Sequence, residues 1–152
     1  MKTREYLQQI ERYDLIIRNR IVEIERLDEL IRTVPALPYD KDKIISSGDQ
    51  DHLGASVAKL LDDKRELEEF MAECMEKRKR IIEQIESLST TKYVRILSMR
   101  YLDYKELYKV ASELGYSYSQ VKNFHRDALV EFENLYEPEY RYKKSVMKID
   151  PD

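Results

Sequence analysis

From Tyr6 to Val34 apolar residues return at alternating steps of four and three, with Ile10, Ile17, Ile24 and Ile31 in one row beside Tyr13, Leu27 and Val34. An α-helix turns once in 3.6 residues, so these rows fall on one face and predict a coiled-coil type of helix over about residues 3–34. Leu7, Ile16, Ile21 and Leu30 widen the stripe beyond a two-stranded seam, which predicts packing on more than one neighbour. Pro35 and Pro38 end the pattern, because proline lacks the amide donor and turns the preceding residue away from helical angles. Residues 35–52 then show no helical period and read as a loop, with Ser46, Ser47, Gly48 and Asp49 within it.

A second run places Leu53, Leu60, Leu67, Cys74, Ile81 and Leu88 on one row and Val57, Met71 and Ile85 on its companion, predicting a helix over about 53–88. Two striped helices joined by a loop bury both stripes within one chain by folding into an antiparallel hairpin, assigned here to residues 1–88. Arg20, Lys64 and Arg78 stand at seam positions, where a charge needs a partner or a path to water.

The long repeat stops at Ser89, Thr90 and Thr91, three residues of the helix-capping type, which marks a domain boundary and a new helix start. Three shorter helical patterns follow, over about 91–102, 104–114 and 118–136, making a domain of residues 89–136. Residues 137–152 are charged and aperiodic and read as a flexible tail. The expected fold class is all-α.

Composition supports this: 38% of the 152 residues are charged, and only three are Gly and four Pro. The formal net charge of -3 argues against coating nucleic acid through bulk charge. Its distribution is uneven, however. Residues 1–88 are net acidic, whereas Lys92, Arg95, Arg100, Lys105, Lys109, Lys122 and Arg126 face only Asp103, Glu106 and Glu113 between residues 92 and 126. A single cysteine, Cys74, allows no internal disulfide and reads as a small core residue in a reducing compartment. The charged, amphipathic start contains no signal peptide or membrane span, and the expected location is cytoplasmic. No metal or cofactor spacing and no nucleophile–base pair is found, so no enzyme is expected. The run Lys77 to Arg80 wraps around a helix and reads as solvated surface, and His125 as a surface or half-buried helix residue.

The segment from Leu107 to Arg126 has the spacing of a helix-turn-helix. Ala111 is small where one helix passes over the other, and Gly115 can take the positive φ of a sharp turn. Val110, Leu114, Val121 and Phe124 supply the contacts between helices, and Ser117 with Gln120 forms a capping box that starts the second helix. Asp103 and Glu106 are placed to cap the first helix in the same reciprocal way. On the second helix Val121, Phe124, Ala128, Phe132 and Leu135 define a buried face, leaving Ser119, Lys122, Asn123 and Arg126 outward with Tyr118 at the edge. Asn reads adenine and Arg reads guanine, so this face suits a major groove, while Arg100, Lys105 and Lys109 are available for phosphates.

The run Tyr93-Val-Arg-Ile-Leu-Ser-Met-Arg-Tyr-Leu102, then Val110-Ala-Ser-Glu-Leu-Gly-Tyr116, then Val121-Lys-Asn-Phe-His-Arg-Asp-Ala-Leu129, resembles the promoter-reading region four of bacterial sigma factors. It is more similar to the short sigma-like late-gene regulators of Gram-positive phages and prophages, the ArpU and RinA kind. The resemblance covers roughly residues 90–135. It implies binding to double-stranded DNA through Ser119, Gln120, Lys122, Asn123 and Arg126, and contact with RNA polymerase. The segment before it has no sigma core-binding or melting region, so the implied role is accessory activation. A homodimer through the hairpin would place two recognition helices on a repeated half-site. Two alternatives stay open: a packaging protein of the small terminase type, and a helical interaction module that binds protein instead of DNA.

Overall fold

The computed structural model describes residues 1–34 and 47–141, the second stretch with side chains from residue 54 onward. Five helices succeed one another: α1 (Thr3–Thr33), α2 (Ser47–Glu86), α3 (Thr91–Tyr101), α4 (Leu107–Leu114) and α5 (Tyr118–Tyr140). The fold is all-α, with no strand among the described residues. Helix α2 begins at Ser47, so the segment 47–52, expected as loop, is helical. Once a long helix is nucleated, each added residue gains a hydrogen bond at little cost, and weak periodicity at its end does not stop it. The rest of the expected loop, 35–46, lies outside the described residues.

Packing divides the chain into two compact units, and the division does not fall at residue 89. One unit is Leu15–Met75, the facing parts of α1 and α2. Here Lys64 Nζ lies 2.7 Å from Asp28 Oδ1, and the Arg20 guanidinium sits 5.0 Å from the centre of the Phe70 ring. Partners ascend on α1 as they descend on α2, which makes this an antiparallel hairpin. Both seam charges thus find partners, a carboxylate for Lys64 and a π face for Arg20, whose Nε is buried without a hydrogen bond. Among the unit's described residues only Cys74 is fully buried, while Ile17, Ile24, Ile31, Leu60 and Leu67 are half-buried. Two helices alone cover a narrow stripe of each other, and Leu15, Ile21, Val22, Leu30, Leu61 and Met75 stay exposed.

The other unit joins Met1–Asp14 to the chain from Glu76 onward. It holds most of the deeply buried residues: Leu7, Ile10, Ile81, Ile85, Ile96, Leu97, Val110, Val121, Ala128 and Phe132 are all within a few per cent of complete burial. Buried polar groups are matched across helices. The Tyr6 hydroxyl donates to Gln84 Oε1 at 2.8 Å, Gln84 Nε2 donates to Glu139 at 2.7 Å, and Arg80 Nη2 donates to the other Glu139 oxygen at 2.8 Å. Burial, with the nearby Glu139 charge, pushes the Tyr6 phenol up to about 12, so it remains a donor at neutral pH. Asp14 accepts from Arg78 Nε and from the Tyr104 hydroxyl, giving the third seam charge its partner. The first turns of α1 and the end of α2 are therefore built into the same core as the three shorter helices. A boundary at 89 marks a helix break, where Thr90 Oγ1 accepts from the Tyr93 amide at 3.3 Å, and the core continues across it.

Helix α5 runs to Tyr140, past the expected end at 136 and through Pro138. Proline inside a helix removes one hydrogen bond and crowds the preceding turn, so local rules favour an earlier stop. Tertiary contacts override them: Tyr140 is 1% exposed, its hydroxyl lies 2.9 Å from Thr3 Oγ1, and its ring packs with Phe132. The remainder of the expected tail, 142–152, lies outside the described residues. Leu135, assigned to the buried face of α5, is exposed, whereas Leu129 and His125 are buried instead.

Candidate nucleic-acid interface

The site is built from α4, the turn at 115–117 and the first half of α5. Ile96, Val110, Ala111 and Val121 form its buried centre, flanked by Met99, Leu107, Leu114 and Phe124. Ala111 is 3% exposed at that centre, so the side chain facing α5 there is a small one. Gly115 ends α4 with φ 75° and ψ 23°, and both its amide and that of Tyr116 donate to the Ala111 carbonyl. A Cβ at Gly115 would meet nothing within 4 Å, so glycine serves the left-handed angle there and not a close contact.

Two residues later the capping box closes. Ser117 Oγ accepts from the Gln120 amide at 3.1 Å, and Gln120 Oε1 accepts from the Ser117 amide at 3.0 Å. This sets where α5 starts and hence which residues point outward. Ser119, Lys122, Asn123 and Arg126 are all exposed and lie on one face, at the three- and four-residue spacing of a helix. Tyr118 is half exposed at the edge, with Lys122 Nζ 4.6 Å from its ring centre. Gln120 is exposed too, with its carbonyl oxygen committed to the cap. Arg126 donates to the adjacent Asp127 carboxylate at 3.2 and 3.3 Å, an exposed contact that water and a stronger anion can displace.

The three upstream cations differ among themselves. Lys105 forms an ion pair with Glu113 at 2.7 Å, and that hydrogen bond raises its pKa. Arg100 Nη1 makes a long 3.5 Å hydrogen bond to the Lys105 carbonyl, which brings these two together. Lys109 is exposed on α4. The reciprocal cap expected from Asp103 and Glu106 does not form: Glu106 is itself the N-cap of α4 and makes no side-chain cap hydrogen bond. Between them Tyr104 takes φ 57°, rare outside glycine, and turns the chain into α4.

The run Lys77 to Arg80 is largely occupied by carboxylates, with Arg78 on Asp14, Lys79 3.8 Å from Glu83 and Arg80 on Glu139. His125, expected near the surface, is 4% exposed. Its Nε2 lies 3.0 Å from the Tyr101 hydroxyl, and the two rings stack at 5.8 Å. Burial, then the charges of Arg4 and Arg100, lower its pKa to about 4, so the ring is neutral at pH 7. The involvement of Arg4 had no signal in the sequence, because only folding brings the first turn of α1 near α3 and α5.

Residues 36–133, well over half the chain, match one protein-family model, whose description is that of a protein of unknown function. No curated protein and no solved structure matches the chain. Among the described residues, no helix is long and apolar enough to cross a membrane.

Proposed function

This chain belongs to the DUF1492 family, and we propose that it binds double-stranded DNA in a sequence-specific way, with α5 as the recognition helix. The observation that carries the reading is the outward face of Ser119, Lys122, Asn123 and Arg126 at the start of a capped helix, set off from α4 by a left-handed glycine. A helix presented this way fits the major groove, and those side chains offer the donors and acceptors that base edges require. Asp127, Glu131 and Glu133 further along α5 repel phosphate and limit the approach to its first turns.

The resemblance to sigma region four and to phage late-gene regulators supports a role as a cytoplasmic phage or prophage transcription activator working with RNA polymerase. The half-buried stripe and exposed apolar residues of the hairpin support self-association as a homodimer. The decisive experiment selects bound sequences from a random duplex pool. A regulator yields one motif, repeated if the protein is dimeric, and Asn123→Ala or Arg126→Ala costs about 1 to 3 kcal/mol at the base each contacts. Failure to enrich any sequence at low salt overturns the reading. Solution mass separates a dimeric regulator from the many-membered ring of a packaging protein.

A further inference from the structure

Two contacts fix where the start of α3 lies along α5. The Ser89 amide and hydroxyl donate to the two carboxylate oxygens of Glu131 at 2.7 and 2.9 Å. One heptad nearer the start of α5, Lys92 Nζ lies 3.8 Å from the centre of the Phe124 ring. That ring is itself held, since it packs on the cluster around Val110 and Val121 and meets the Tyr116 ring edge-on at 5.3 Å. Lys92 is thus set apart by where it is held, against the first half of α5 but from a neighbouring helix. Other cations are engaged elsewhere: Arg100 lies 5.7 Å from the Tyr101 ring of its own helix, and Lys105 pairs with Glu113 at 2.7 Å.

With roughly 100° between successive helical residues, the outward row of Ser119 and Asn123 has Lys122 roughly 80° to one side and Phe124 roughly 120° to the other. Lys122 rests on Tyr118, its Nζ 4.6 Å from the ring centre. The row is therefore flanked on both sides by an ammonium seated on an aromatic ring, one supplied by α5 and one by α3. A ring face attracts an ammonium without neutralising it, because a quadrupole carries no net charge, and the full charge stays available to an anion. Phe124 also precedes Asp127 and Glu131, so this flank belongs to the turns of α5 that acidic side chains leave open.

A helix lying in a major groove has a phosphate backbone on either side of it. We propose that Lys92 holds a backbone phosphate of duplex DNA on the flank of α5 away from Lys122, so that α3 takes part in the interface along with α5. The proposal rests on the DNA-binding reading above. Phe124 keeps the ammonium in place before DNA arrives, which lowers the cost of ordering a flexible side chain. A phosphate contact fixes register on the duplex and carries no base preference of its own.

The test is a fluorescence anisotropy titration of a duplex carrying the selected motif, and of a scrambled duplex, in stepped KCl. Lys92→Met keeps the apolar stem over Phe124 and removes the charge, and Lys92→Arg keeps the charge; both are compared with the wild type, with exposed Arg65→Gln in the hairpin as control. Lys92→Met should lower the slope of log affinity against log salt by about 0.9 and weaken both duplexes by the same factor, whereas Lys92→Arg and Arg65→Gln should keep the wild-type slope. Replacing the motif's phosphates one at a time by neutral methylphosphonates should reveal one position that weakens the wild type and has no effect on Lys92→Met. Urea unfolding midpoints confirm that the variants fold; if Lys92→Met does not, Lys92→Gln takes its place. A wild-type slope in the neutral variant, while Asn123→Ala still removes sequence preference, overturns this phosphate contact and leaves the DNA reading standing. An equal response of the wild type and Lys92→Met to every methylphosphonate does the same. Absence of any duplex binding by the wild type overturns both.

Discussion

The rings of Tyr6 and Tyr140 stack with centroids 4.4 Å apart and planes inclined by 14°. One ring comes from the second turn of α1, the other from the last turn of α5, and Phe132 completes the cluster at 6.1 and 6.3 Å. The helix that begins at the capping box is thus clamped at its far end by the start of the chain. A helix offered to a large partner loses less affinity to reordering when it is held rigid in advance.

Removing that clamp should be costly. Tyr140→Ala deletes a fully buried aromatic and is expected to lower the unfolding free energy by about 3 kcal/mol in urea titrations. Tyr140→Phe keeps the stack and leaves the buried Thr3 hydroxyl unpaired, so its expected cost is about 1 kcal/mol. Equal losses in the two variants would show that the ring stack contributes little.

The turn gives a second, sharper expectation. Since nothing stands within 4 Å of a Cβ at Gly115, Gly115→Ala should suffer only the strain of the left-handed angle, about 1 to 2 kcal/mol. Gly115→Asn should suffer less. A much larger loss for alanine would mean that the turn is also sterically closed.

Stability should depend on pH through His125. Its pKa is about 4 in the folded protein against an ordinary 6.5, so the unfolded chain takes up a proton more readily. The contribution is complete above about pH 6.5 and disappears as pH falls toward 4, with a size on the order of 3 kcal/mol. His125→Gln should flatten that limb of the wild-type profile. Thermal unfolding of both proteins between pH 4 and 8 measures it, and parallel profiles would refute the assignment.

Asp14 gathers Arg78 from α2 and Tyr104 from the link before α4. Its side chain is 17% exposed, which makes the contacts stronger than those of a surface pair. Asp14→Ala should destabilise the protein by about 2 kcal/mol, and should speed amide exchange at the link around Tyr104 more than along α5. Uniform acceleration would instead indicate general loosening.

The amino-acid sequence alone determined what depends on neighbours within a turn or two. Helical periodicity, the stop at Ser89–Thr91, the left-handed Gly115, the Ser117–Gln120 box and the outward row from Ser119 to Arg126 are all set by backbone geometry and short-range hydrogen bonds, and all were legible. The tertiary structure alone decided the pairings between distant positions. It buried His125 against Tyr101, carried α5 through Pro138 to reach Thr3 and Tyr6, supplied Asp14 to a strained Tyr104, and drew the base of the hairpin into the core of the shorter helices. A local pattern states that a residue faces inward or outward, but not which remote side chain it meets. That is fixed only when every helix competes for the same limited volume, and the competition can outweigh a proline or a missing cap.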